Sequence, residues 1–262
     1  MIDSDAVLVP PWWIFHVPHD SVTIPNNVRD QFTLSEESLD EEILRMTDHH
    51  TFDLFAGDLP ANQVVRFPVS RLVVDVERFE LDELEPMADR GMGVIYRVTH
   101  DLRPLRRDLT DIERSNLLDD WYRPHHGALT ATVDQALESY GRALVIDAHS
   151  FPATALPYER DETAMRPQIC IGTDPFHTPT GLVEPLQRAL EMQGLMTALN
   201  TPFAGALVPM KHYKKNARVA ALMIEVRRDV YMNEASGLRN NSFEAVRRTI
   251  RSALLGSLNS LT

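Results

Sequence analysis

The sequence predicts an α/β layered fold built on a mixed, mostly parallel sheet. Three observations carry this. Short apolar, β-rich runs recur along the chain, amphipathic helical repeats lie between them, and one such repeat stops on a glycine and feeds straight into the next apolar run.

The β-rich runs are residues 13–17, 64–67, 72–76, 143–146, 168–171 and 219–226, mostly bounded by Pro, Gly or charged residues. Several are continuously apolar, the pattern of strands buried on both faces. Among the helical segments, SEESLDEEILRM precedes Thr47, and Leu129, Val133, Leu137 and Tyr140 recur every three or four residues before Gly141. Leu182, Leu186 and Leu190 repeat the pattern before Gly194. Val246, Ile250, Leu254 and Leu258 line a C-terminal helix whose Arg247, Arg248 and Arg251 read as a solvated face.

No repeat period, low-complexity linker or charge block interrupts the chain, so one domain spanning residues 1–262 is expected. With 44% hydrophobic and 24% charged residues the composition is that of a globular protein. A net charge of −12 is the wrong sign for capturing phosphate backbones or anionic membranes, so no nucleic-acid or membrane partner is expected. Cys170 is the single cysteine and forms no internal disulfide, and the opening MIDSDAVLVPPWW has neither a basic nor a clean apolar leader region. A reducing, cytoplasmic location is the expectation. No window approaches the roughly eighteen apolar residues that cross a bilayer.

In α/β sheets active sites lie at the carboxyl ends of strands. Four places there hold suitable side chains. At the end of residues 13–17 and just beyond come His16, His19 and Asp20; after residues 143–146 come Asp147, His149 and Ser150. A neutral imidazole at a strand end can bind zinc while a carboxylate orients its second nitrogen, and Asp147 lies on the same side of the strand as His149. The structural alternative is a turn closed by Pro18 and Asp20, with His149 a satisfied core residue.

The third place is Thr47-Asp48-His49-His50, just after a helical stretch. Consecutive helical residues point about 100° apart, so at most one or two of these reach one metal. The string is also weakly similar to manganese phosphoesterase motifs, which need further strand-end aspartates at set positions. The fourth place is Glu225, sharing a strand face with Met223 and flanked by Leu222, Ile224 and Val226. A carboxylate so placed is costly to bury unless it is paired or has work to do, either as a general base or in a salt bridge to Arg227, Arg228 or another cation. Arg71 and Arg78 stand at the two ends of the 72–76 run, where a guanidinium fork suits a substrate carboxylate as readily as it suits solvent.

Together these segments resemble the N-formylglutamate amidohydrolase family, which shares the overall fold of zinc carboxypeptidases and aspartoacylase. The resemblance runs from about Trp13 to Glu234 in seven ordered stretches. They are Val17-Pro18-His19-Asp20, similar to the family's Pro-His-Ser-Gly; Thr47-Asp48; Ser70-Arg71 with Val74-Asp75-Val76-Glu77-Arg78; Tyr122 to His126; Asp147 to Pro152; Asn200 to Gly205; and Met223 to Arg227 with Tyr231-Met232.

The resemblance implies a three-layer α/β/α, phosphorylase/hydrolase-like fold of the zinc carboxypeptidase kind. It implies one zinc per chain held by His19, Asp48 and His149, with His50 in reserve for Asp48, because Val22 stands where the superfamily's His-x-x-Glu has its acid. Glu225 becomes the general base of zinc-assisted amide hydrolysis. Arg78 holds the substrate carboxylate with Arg71 nearby, and His126 either contacts substrate or packs at a helix start. The implied substrate is a small acidic N-formyl or N-acyl amino acid. A carboxypeptidase-like or other deacylase activity and a non-catalytic metal-binding role are the alternatives. The chain departs from the family's pattern at Glu77, usually Asn, at Asp20, usually Ser, and at His125, usually Tyr.

Overall fold

The computed structural model describes residues 9–160 and 165–257. The first eight residues, read above for a leader, and Leu258, expected on the last helix, lie outside them. In chain order the elements are β1 (Trp13–Val17), α1 (Glu36–Met46), α2 (Thr51–Phe55), β2 (Val64–Arg66), α3 (Asp111–Leu117), α4 (Arg123–Tyr140) and β3 (Ala143–Phe151). Then come β4 (Ile169–Gly172), α5 (Thr180–Met192), β5 (Thr197–Leu199), β6 (Val219–Arg227), the ribbon of β7 (Met232–Asn233) and β8 (Leu238–Arg239), and α6 (Phe243–Ser257). No helix among the described residues is long and apolar enough to cross a membrane.

Six strands form one sheet in the order β2-β1-β3-β6-β4-β5. Neighbours are parallel except β4 and β6, which run antiparallel. The mixed, mostly parallel sheet is therefore as predicted. Every residue of β1 and β3 is buried, which is what continuously apolar strands covered on both faces require.

On one face, Phe15, Leu144, Ile146, Leu222 and Ile224 pack against Leu54 of α2, the three leucines of α5, and Ile250 and Leu254 of α6. On the other, Ile14, Val145 and Ala221 meet Leu129, Val133 and Ala136 of α4. These are the three layers. Ser35 caps α1 by accepting from Ser38 N, and α4 ends at Gly141, whose φ of 73° suits a residue without Cβ.

Four expectations are corrected. Residues 72–76 are not a strand: they pass through turns, although Leu72, Val74 and Val76 are buried in a separate core with Phe67, Met92 and Tyr96. Their backbone is satisfied without a ladder. Val73 N bonds to Ser70 O, Asp75 N to Val94 O, and the buried Arg106 guanidinium donates to the carbonyls of Leu72 and Val73. Secondly, β3 extends to Phe151 because Asp147, His149 and Ser150 stay in register with β6. Thirdly, the arginines of α6 are only partly a solvated face, since Arg247 and Arg251 both pair with Asp58. Finally, Asp48, His49 and His50 lie in the link between α1 and α2 rather than on a helical turn, so the helical angle between them does not apply.

Candidate active site

Side chains two apart on a strand share a face, so β3 changes character along one side. Val145 packs under α4; Asp147 and His149 follow it toward the carboxyl end. In register beside them stand His16 of β1, opposite Asp147, and Glu225 of β6, opposite His149. The sheet thereby sets His16, Asp147, His149 and Glu225 on one patch. Two loops complete it: Pro18 carries the chain from β1 to His19, and Asp48 N–H donates to His19 O at 2.9 Å, tying the link after α1 to the loop after β1.

Ligand-capable atoms of His19, Asp48 and His149 lie within 4.8 Å of one another. His19 Nε2 donates to Asp75 Oδ1 at 2.8 Å and His149 Nε2 to Asp147 Oδ1 at 3.0 Å. Each ring is thus turned so that Nδ1 faces Asp48 Oδ2, at 3.7 Å from His19 and 3.3 Å from His149. His19 Nδ1 is buried and makes no hydrogen bond. An orphaned imidazole nitrogen, a second imidazole and a carboxylate, each ring anchored by a carboxylate behind it, fit a divalent cation with a coordination position to spare.

Asp48 is prepared for the same purpose. Its Oδ1 accepts from Arg228 Nη2 at 2.9 Å and its Oδ2 from Ser150 N at 3.2 Å. Burial acts to raise its carboxyl, but the two histidines and the Arg228 guanidinium outweigh this and hold it well below the usual carboxylate range. Arg228 sits among buried groups and also bonds Ser150 Oγ and Arg45 O, so it is a fixed part of the scaffold.

Glu225 is 8% exposed, and its Oε2 is buried without a hydrogen bond. Burial pushes its carboxyl up to about 8, against the pull of His149 and Arg71. Neither of the cations considered from sequence pairs with it: Arg227 bonds Asp229, and Arg228 bonds Asp48.

The two arginines sit around Asp75 rather than at the ends of a strand. Arg71 Nη2 donates to Asp75 Oδ2 at 2.8 Å and its Nε to Tyr96 OH at 3.0 Å. Arg78 Nε lies 3.7 Å from the same oxygen and makes no hydrogen bond. His126 Nε2 donates to Val76 O at 3.0 Å, with its ring against Tyr122. His50 is outside the cluster, bonded through Nε2 to Gly237 O at 2.7 Å. Asp20 pairs with Arg66 and is not one of the three clustered donors.

The two remaining departures from the family's pattern meet at His16. Its Nδ1 lies 2.8 Å from Asp147 Oδ1 and 3.2 Å from Glu77 Oε1, and its Nε2 lies 2.7 Å from His125 Nε2. Burial lowers His125 to about 2 and leaves its ring neutral, so with His16 protonated the bond runs from His16 to His125. For His16, burial opposes charge, but Asp147 and Glu77 prevail and raise it to about 9.

Sequence reasoning missed the roles of Asp75 and Arg228. Asp75 is fully buried and joins His19 to Arg71; in the sequence it stands out only as a charge inside the 72–76 run and as one residue of the Val74–Arg78 stretch of the family resemblance. Asp75→Asn is expected to weaken the affinity of the His19, Asp48 and His149 cluster for a divalent cation 10- to 100-fold, by loosening the ring that it orients. Zinc affinity measured by competition with a chromogenic chelator checks this; an unchanged affinity would show that Asp75 serves only Arg71.

A mixed, mostly parallel α/β sheet with an open His-Asp-His cluster and an unpaired glutamate at its carboxyl edge defines a hydrolase-like protein. The chain is similar over its greater part to proteins of one kind. It belongs to the N-formylglutamate amidohydrolase family, whose sequence model matches residues 12–232. It is 30% identical over 234 residues to the N-formylglutamate deformylase of Pseudomonas putida, covering 84% of this chain and 82% of that one. The solved N-formylglutamate amidohydrolase of Ralstonia eutropha JMP134 shares the fold with a TM-score of 0.78 at 23% identity, over 95% of this chain and 94% of that one. A solved protein of Agrobacterium tumefaciens does so with a TM-score of 0.66 at 19% identity, over 95% and 91%.

Proposed function

We propose that this chain hydrolyses the amide bond of N-formyl-L-glutamate or a closely related acidic N-acyl amino acid, with a zinc ion held by His19, Asp48 and His149 and with Glu225 as general base. The observation that carries the reading is the convergence of the three donors within 4.8 Å, both rings anchored from behind by carboxylates. Family membership and the names of the relatives support the substrate class. Zinc bound there would supply Lewis acidity, polarising the amide carbonyl and making water a nucleophile near neutral pH.

The rest is work for the protein's own groups. Glu225, next to His149 in register, takes the proton of the attacking water on its unpaired Oε2 and hands it to the departing nitrogen. A carboxyl with a buried, unpaired oxygen is suited to both halves of that transfer. Arg78, 21% exposed in its side chain, offers its guanidinium to the substrate carboxylate, while Arg71, locked on Asp75 and Tyr96, contributes a fixed positive charge. His126 flanks this region with Nε2 committed to Val76 O, leaving Nδ1 for substrate.

Arg78→Ala should raise KM for N-formyl-L-glutamate about tenfold or more, the scale of one lost charge-assisted hydrogen bond, and leave uncharged N-formyl amides unaffected. Equal losses on both would make Arg78 structural. The reading as a whole is tested by chelation. Hydrolysis of N-formyl-L-glutamate should disappear on treatment with a chelator and return with zinc; hydrolysis that resists chelation, or a protein that turns over no N-acyl amino acid when zinc is supplied, overturns it.

A further inference from the structure

We propose that His16, Glu77 and Asp147 form a second divalent-cation site, distinct from the His19, Asp48 and His149 cluster and joined to it through Asp147. Ligand-capable atoms of these three residues also lie within 4.8 Å of one another. His16 Nδ1 stands 2.8 Å from Asp147 Oδ1 and 3.2 Å from Glu77 Oε1. Donor separations near 3 Å are those spanned by two ligands at right angles about a metal some 2.1 Å from each.

The arrangement repeats the design of the first cluster. There, each histidine turns Nδ1 inward and fixes Nε2 on a buried acceptor, Asp75 for His19 and Asp147 for His149. His16 does the same: Nδ1 faces the two carboxylates, and Nε2 donates to His125 Nε2 at 2.7 Å. His125 is itself buried at 6% exposure and held against Phe67. A histidine oriented from behind by a neutral acceptor is what a metal ligand needs.

Charge supports the same conclusion. Glu77 and Asp147 are 16% and 1% exposed in their side chains, and Glu77 Oε1 is buried with no hydrogen bond. Among the described residues, the ion-pair partners of both within 4 Å are histidines, with no Lys or Arg. A buried carboxylate with a second, half-buried one beside it is favoured by a cation between them. An imidazole with two carboxylates suits zinc or manganese.

Asp147 Oδ1 also accepts from His149 Nε2, so a cation bonded to Asp147 would bear directly on the orientation of His149. It would also neutralise Glu77, the residue before Arg78, which is proposed for an anionic substrate. To that extent the inference deepens the proposed function, but the site itself stands whatever the substrate.

The test is metal content. Wild-type protein and Glu77→Gln are stripped with chelator, dialysed separately against Zn²⁺ and Mn²⁺, and analysed by elemental mass spectrometry. Two equivalents in the wild type falling to one in Glu77→Gln is the expected result. One equivalent in both proteins would mean that protonated His16 supplies the positive charge, which overturns the second site and leaves the first intact. Two equivalents in both would place the second cation elsewhere, and none in either would defeat both centres. One in the wild type and none in the variant would support this site and defeat the first. Should Glu77→Gln fail to fold, anomalous scattering from wild-type crystals grown with Mn²⁺ decides the matter: a peak among His16, Glu77 and Asp147 is expected, and its absence overturns the proposal.

Discussion

His149→Ala is expected to lose the zinc proposed at His19, Asp48 and His149 and to lower kcat/KM on N-formyl-L-glutamate by a factor on the order of 10³ or more. His149 stands on the central strand of the sheet, bonded by Nε2 to Asp147 with Nδ1 3.3 Å from Asp48 Oδ2. Its removal leaves a single imidazole and a carboxylate, too few donors to retain zinc against a chelator. Lewis-acid stabilisation is worth several kcal/mol, and about 1.4 kcal/mol is tenfold in rate, which sets the magnitude. Metal content and hydrolysis measured on one preparation, with an unfolding curve to confirm the fold, check the result. Zinc still bound at the cluster with activity intact would remove His149 from the ligand set.

Glu225→Gln should separate chemistry from metal binding. The amide keeps the shape of the carboxylate and leaves the three donors untouched, but it takes no proton, so kcat should fall by roughly 10²–10⁴ at unchanged zinc content. Glu225 is buried with an unpaired oxygen, and an amide is cheaper to bury than a carboxylate; the variant should therefore be at least as stable as the wild type. Lost turnover with gained stability is a combination that a merely structural residue would not produce. Turnover that survives the substitution would defeat the assignment.

The layers were legible because local signals agreed. The apolar run of β1, the alternation around Glu225 in β6, and the stripe of α4 closed by Gly141 each state their geometry within a few residues. So did Asp147 and His149, whose spacing on one strand implies a shared face. What escaped was satisfied from far away. Residues 72–76 look like a strand, but the carbonyls of Leu72 and Val73 are met by the Arg106 guanidinium some thirty residues on, which no local pattern reveals. Arg228, 180 residues from Asp48, was read as a partner for the glutamate beside it. Glu77 and His125 were each noted as departures, but only the folded chain brings both to His16.

The proposed donors of the first cluster come from three widely separated stretches, Asp48 and His149 lying 101 residues apart. The unfolded chain holds no such site, so a metal bound there would act as a cross-link that exists only in the native state. Its binding energy would then be folding energy, about 2.7 kcal/mol at a hundredfold excess over its dissociation constant. Zinc concentration would set the melting temperature, and a chelator would work as a mild denaturant even where no substrate is present.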